Sequence, residues 1–230
     1  MGRVAFTHHL YPTFTKENGM KTLYEVLSRE EIERIHSASM EVLQTIGIQV
    51  DYPVARELFR QGGAQVDEAQ QCVRIPETLV RWALDQAPKT FKLYGADASL
   101  EMEIGGDAVQ FAALGTPTTM LDLDSGDYRP STLADLGNHI KLIDGCEHIH
   151  CSQMDVWPND IPMNMIHSEA IWLWAHNSRK SFGLGCYGYM PTLDMMRMTA
   201  AAVGGKEELR LRPRFFGICS VVSPLKMTQI

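Results

Sequence analysis

No run of about 18 apolar residues occurs in this chain, so no membrane-crossing helix is expected. Met1 to Met20 lacks the apolar core of a secretion signal and contains Pro12. Positive charge is also scarce: 21 Lys and Arg stand against 28 Asp and Glu, for a formal net charge of −7. Nucleic-acid binding needs clustered cations, so it is not expected. The five cysteines (72, 146, 151, 186 and 219) are an odd number without a CxxC spacing. That fits reduced thiols in a cytoplasm rather than a disulfide framework. There is no GxSxG elbow, HExxH helix or phosphate-binding P-loop, no linker rich in Pro, Gly or Ser, and no repeat of fixed period. What remains is an ordinary globular composition, 45% apolar and 21% charged. The thirteen methionines read as core filler.

From Val109 onward, apolar runs alternate with helical patterns. Strands are expected at Ala108–Leu114, His148–Val156, Ser181–Leu184 and Phe215–Val222, and helices at Thr132–Asp144, Met163–His176 and Leu193–Val203. Alternation of this kind predicts a parallel sheet with crossover helices, and runs such as Phe215–Val222 suit strands covered on both faces.

Ahead of this region the signals are mixed. Met1 to about Thr22 carries no periodicity and reads as a flexible leader. Ser28 and Glu31 form a capping-box pattern that opens a helix with Ile32, Ile35, Met40, Leu43 and Ile46 on one stripe, stopped by Gly47. Pro53 opens a second helix with Ala55, Leu58 and Phe59 inward, and Pro76 a third with Leu79, Val80, Ala83 and Leu84 inward. Cys72–Ile75, Phe91–Tyr94 and Leu100–Ile104 alternate as strands, and Asp124–Asp127 is a tight-turn sequence between Thr119–Leu123 and Tyr128. The expected organisation is a leader at 1–22, a mixed helical and antiparallel segment at 23–105, and the alternating region at 106–230.

Three constellations could carry chemistry. In Cys146-Glu147-His148-Ile149-His150-Cys151 the two histidines would lie on one strand face and Cys151 on the other, so zinc ligands would not converge. Gly183-Leu184-Gly185-Cys186-Tyr187-Gly188 formally matches GxGxxG, but the acidic residue a dinucleotide site wants is not at a strand end. The third is the set at the carboxyl ends of the parallel strands: Gly115, Thr116 and Pro117; Asp155, Trp157 and Asp160; Cys186, Tyr187 and Tyr189; Ser223 and Pro224. Asp155, Trp157 and Tyr187 would make a box for a tertiary or quaternary ammonium, through charge pairing and cation–π attraction. Ordinary rim packing, with Asp155 capping a helix, is the alternative. Cys186 and Cys219 could be nucleophiles only beside a base.

Many short segments together carry a resemblance: Glu31–Leu43, Gly47–Val50, Val73–Glu77, Ala87–Lys89, Leu93–Gly95, Leu121–Leu123, Arg129–Thr132, and Cys219 with Ser223–Leu225. From about residue 23 to the end the chain resembles the trimethylamine methyltransferase family. The resemblance implies an α/β fold, a partial (β/α)8 TIM-type barrel of about four parallel strands preceded by the mixed segment. It implies an enzyme that moves a methyl group from a tertiary or quaternary methylated amine, of the trimethylamine or glycine betaine type, to the Co(I) of a cognate corrinoid protein. The cofactor expectation is therefore none bound by this chain, since it has no Asp-x-His-x-x-Gly pattern, and a corrinoid (cobalamin) carried by a partner protein. Family members are about twice this long, and some use pyrrolysine at a position outside this stretch. The partners expected are the methylated amine, the corrinoid protein and further copies of the chain, with no nucleic acid and no membrane. The residues that catalyse transfer are not assigned. Two alternatives stand beside this reading: a truncated, non-catalytic fragment that associates through unpaired strand edges, and a Rossmann-like nucleotide-binding domain.

Overall fold

The structure is a computed structural model that describes residues 26–113, 115–154, 156–218 and 220–228. The leader expected at 1–22, and Leu114, Asp155 and Cys219, lie outside the described residues.

Helix α1 (Arg29–Glu41) is opened by the expected capping box: the Glu31 amide donates to the Ser28 hydroxyl, and the Ser28 amide donates to the Glu31 carboxylate at 2.8 Å. A π-helical turn over Val42–Ile46 follows, and the chain reverses at Gly47, whose φ is +82°. A Cβ there would lie 2.5 Å from the Val73 carbonyl oxygen, so both dihedral and space demand glycine. The apolar stripe that starts in α1 is largely exposed. Ile32 and Ile35 are 54 and 55% exposed, and only the far end, Leu43, packs inward.

The chain then runs through β1 (Ile48–Val50), α2 (Pro53–Gln61), β2 (Gln65–Asp67), β3 (Cys72–Arg74) and α3 (Glu77–Gln86). β1 and β2 flank β3, both antiparallel to it. Val50, Ala64, Val73 and Ile75 form the core between sheet and helices, covered by Phe59, Leu79 and Val80. Leu58 and Leu84, expected inward, are exposed: on helices this short the core covers only a narrow stripe. Buried Arg56 donates to the carbonyls of Val50 and Asp51, closing the end of β1.

The alternating pair became the antiparallel hairpin of β4 (Thr90–Tyr94) and β5 (Glu101–Gly105), with Leu93 and Met102 on its buried face. The tight-turn sequence joins β6 (Thr119–Leu121) to β7 (Tyr128–Pro130) as expected.

Helix α4 (Leu133–Gly145) starts at a second capping box, Thr132 with Asp135. After it come β8 (Cys151–Ser152), α5 (Ile166–Asn177), β9 (Ser181–Gly185), α6 (Tyr189–Ala202), α7 (Lys206–Leu211), β10 (Phe215–Ile218) and β11 (Lys226–Met227). β8, β9 and β10 are parallel and adjacent in chain order, and Ala112 adds a parallel bridge to Cys151 on the far side of β8. The expected parallel pairing is therefore present. Its first member is shorter than expected, a bridge rather than a strand. Its second stops at Ser152 because Met154 turns to φ +52°. Helix α6 opens at Tyr189 rather than Leu193, with Gly188 at φ +96° as its N-cap and Pro191 in its first turn, where proline is tolerated. The short helix α7 lies in the connection between α6 and β10.

Leu136 and Ile140 of α4, Ala170, Ile171 and Trp174 of α5, and Met195 of α6 pack with Phe182 and Leu184 of β9 and with Met154, just past β8. This is the larger of the cores. The strand order argues against a Rossmann-like domain, in which the fourth strand returns to flank the first; here β10 lies beside β9. The GxGxxG match begins inside β9 and runs to Gly188, the N-cap of α6. A Cβ at Gly183 would meet the Phe216 ring at 2.4 Å, so that glycine serves ring packing.

Candidate active site

The two ends of the parallel sheet differ. At the amino ends, cations hold backbone carbonyls and carboxylates. Lys180, which precedes β9, donates from Nζ to the carbonyls of Ile143, Cys146 and Ile149 at 2.8, 2.5 and 2.6 Å, closing the carboxyl end of α4. A cation there complements the helix dipole. Arg214, 2% exposed, donates to the Gly95 carbonyl and to Glu208, and Arg179 pairs with Asp144. This end is a structural plate.

The carboxyl ends open instead into a cavity of about 660 Å³, a size that suits small ligands. Gly115 and Thr116 line it after the first strand segment, Met154 and Trp157 after β8, Cys186 and Tyr187 after β9, and Ser220 and Val221 after β10. Ile166 and Ala170 of α5 also line it, as do Met227 of β11 and Thr228 just after it.

Trp157 and Tyr187, both expected at the site, meet edge to face: their centroids are 5.5 Å apart and their planes 77° apart. The backbone around Trp157 is held from several sides. Its amide donates to the Pro117 carbonyl at 2.9 Å, and its carbonyl accepts from the Ser131 hydroxyl at 2.6 Å. The Asn159 amide group bridges the carbonyls of Thr118, Ser131 and Trp157. Burial, followed by Cys186 alongside, holds the Tyr187 phenol above its ordinary pKa. It stays a neutral ring with a hydroxyl donor at physiological pH.

Asp155 lies outside the described residues. Asp160 does not face the cavity; its carboxylate accepts from the Leu133 amide at 2.8 Å, at the start of α4. Tyr189 lines an adjoining cavity of about 400 Å³ with Tyr52 and Met196. Ser223 and Pro224 do not line the main cavity, which takes Ser220 and Val221 from that loop instead. The His148 and His150 segment is a turn rather than a strand, and His150 Nδ1 accepts from the Phe111 amide at 2.9 Å, pinning the first strand segment. Among the described residues no group of three or more His, Cys, Asp or Glu could hold a metal ion. Cys186 lines the cavity and is in no disulfide, whereas Cys219 is outside the described residues.

Met227 and Thr228 carry no sequence signal as site residues, because a long-range pairing brings them there. β11 lies parallel to β1, with the Asp51 amide donating to the Met227 carbonyl at 3.0 Å. Ile166 and Ala170 read simply as the buried face of α5.

Fold and cavity together define an α/β chain with a concave, aromatic-edged pocket at the strand ends where α/β enzymes build their chemistry. The chain belongs to the trimethylamine methyltransferase family, whose family model matches residues 6–230. It is 31% identical over 202 residues to the trimethylamine methyltransferase of Desulfitobacterium hafniense (strain DCB-2), covering 87% of this chain and 40% of that protein. To the glycine betaine methyltransferase of Desulfitobacterium hafniense (strain Y51) it is 30% identical over 205 residues, covering 88% and 42%. To a trimethylamine methyltransferase of Methanosarcina acetivorans it is 32% identical over 222 residues, covering 94% and 44%. The chain thus spans less than half the length of these relatives. Among the described residues no helix is long and apolar enough to cross a membrane.

Proposed function

We propose that this chain forms the amine-binding part of a methyltransferase that takes a methyl group from a tertiary or quaternary methylated amine and delivers it to the Co(I) of a separate corrinoid protein. The observation that carries this reading is the Trp157–Tyr187 pair on the edge of a largely apolar cavity at the carboxyl ends of parallel strands. An N-methyl ammonium spreads its charge over methyl groups that cannot donate strong hydrogen bonds. Aromatic faces and apolar walls attract such a head group without paying the desolvation a bare ammonium would demand. Asp155, two residues before Trp157, carries the opposing charge in this reading.

In this reading the corrinoid is presented from outside by its partner protein. When bound, the corrinoid supplies the nucleophile for the methyl carbon. The residues of this chain bind the cation and aim one methyl toward the cavity mouth. As the C–N bond breaks, its electron pair leaves with nitrogen and the amine becomes neutral. The site therefore helps transfer through alignment and water exclusion more than through holding the cation tightly. No general base is needed, in keeping with the few titratable groups on the described walls.

In the same reading the open margins of the parallel sheet, β10 on one side and the segment around Ala112 on the other, are covered by further βα units that close a (β/α)8 barrel. The test is methyl transfer from trimethylamine and from glycine betaine to cob(I)alamin in the intact protein. Asp155→Asn and Trp157→Ala are expected to cut it at least 10-fold, as the loss of a desolvated cation contact predicts. Unchanged transfer in both variants would overturn the reading.

A further inference from the structure

The aromatic pair depends on a residue with no side chain. Gly185 is the last residue of β9, paired in register with Ile218 of β10, and the next amide, that of Cys186, donates to the Ile218 carbonyl at 3.2 Å. The backbone beneath Tyr187 is thereby fixed. A Cβ built on Gly185 would lie 2.4 Å from Cζ, 2.6 Å from the hydroxyl oxygen and 2.8 Å from Cε2 of Tyr187. Those are the nearest three atoms, and all belong to that one ring. The glycine does not adopt a left-handed conformation, so its backbone accepts alanine without strain. What it provides is the hollow in which the Tyr187 ring lies back across the strand end.

We infer that Gly185 is a positioning residue for the amine site: its missing side chain lets the Tyr187 ring fold over the end of β9 and stand edge-on to Trp157. The inference rests on the proposed binding of a methylated ammonium. Tyr187 is already 41% exposed, so solvent lies open as the place a displaced ring would go. A methyl group at position 185 would turn the ring outward and separate it from Trp157, 5.5 Å away. The cavity would then lose one aromatic wall although neither aromatic residue had changed.

The experiment is a calorimetric titration of the intact protein with tetramethylammonium, a probe that binds without any transfer step. Four forms are compared: native, Gly185→Ala, Tyr187→Ala and the double variant, with melting temperatures recorded alongside. Each single variant is expected to raise Kd about 10-fold, the loss of one desolvated cation–π contact. The double variant should bind as Tyr187→Ala binds, because the substitution at 185 acts only through the ring. If Gly185→Ala fails to fold, the double variant, free of the clash, should still melt where Tyr187→Ala melts.

Gly185→Ala binding like the native protein while Tyr187→Ala is weakened would overturn the inference and leave the amine reading standing. So would a double variant that binds about 10-fold more weakly than Tyr187→Ala, or that melts far below it, since the effect would then not run through the ring. If Tyr187→Ala itself binds as tightly as the native protein, the amine reading falls, and this inference with it.

Discussion

Lys226 Nζ stands 3.0 Å from a carboxylate oxygen of Asp51, joining the last described strand to the first. Through this pair and the parallel pairing of β11 with β1, a wall of the cavity is carried by the N-terminal sheet. Both side chains are about one-third exposed, which limits what the pair contributes. A double-mutant cycle of Asp51→Asn and Lys226→Met is expected to show a coupling of about 0.5 kcal/mol that fades in 1 M salt, as for other exposed ion pairs. A coupling near zero at low salt would place the hold on β11 in its backbone hydrogen bonds alone.

The start of α4 is set by charge. Arg129 donates to both oxygens of Asp135, at 2.7 and 2.9 Å, and Asp135 also closes the capping box with Thr132. The Arg129 guanidinium, followed by the Thr132 hydroxyl and amide, holds the Asp135 carboxyl far below the usual carboxylate range against the opposing effect of burial. In the unfolded chain this group titrates near about 4. Its contribution is therefore complete above that pH and is lost as the pH falls toward the folded value. Stability measured by urea unfolding should fall as the pH drops below about 4, and Asp135→Asn should flatten that fall. A slope unchanged in the variant would move the acid sensitivity elsewhere.

The basal plate and the site should separate under mutation. Lys180→Met leaves the carbonyls of Ile143, Cys146 and Ile149 without their donor. A loss of about 2–3 kcal/mol in urea unfolding is expected, the cost of removing a charged donor from partly buried acceptors. Tetramethylammonium affinity should not change, because Lys180 lies at the opposite end of the sheet. A large loss of affinity in a variant that remains folded would contradict the division between the two ends.

Asn159 supports Trp157 without reaching the cavity. Its amide group bridges three carbonyls, including that of Trp157. Asn159→Ala should weaken tetramethylammonium binding about 5-fold, the equivalent of one net hydrogen bond, with little change in melting temperature. Equal affinity would mean that the Pro117 and Ser131 contacts hold the ring without it.

Much of this architecture was legible because local chemistry and global fold agree. The Ser28–Glu31 box, the Asp124–Asp127 turn and the alternation in β4 and β5 are short-range signals that tertiary structure left intact. The parallel pairing follows from the spacing of apolar runs, and strand ends so spaced carry Trp157 and Tyr187, whose rings meet. The stripe on α1 is largely exposed, because periodicity marks an apolar face without saying whether anything covers it. The pairing of β11 with β1 joins two very short strands far apart in the chain, and neither periodicity nor turn chemistry announces such a contact. The role of Gly185 was hidden for a similar reason. Its neighbours suggested a phosphate loop, and only the position of the Tyr187 ring shows what the missing side chain makes room for.

The proposed ammonium site lies at the carboxyl ends of the parallel strands, edged by Trp157 and Tyr187. Its most direct test is the calorimetric Kd of the intact protein for tetramethylammonium, compared among native, Trp157→Ala, Tyr187→Ala and Lys180→Met forms. The account predicts a loss of about 10-fold or more for each aromatic variant and none for Lys180→Met. Equal affinity in all four forms, or no binding by the native protein, would contradict it.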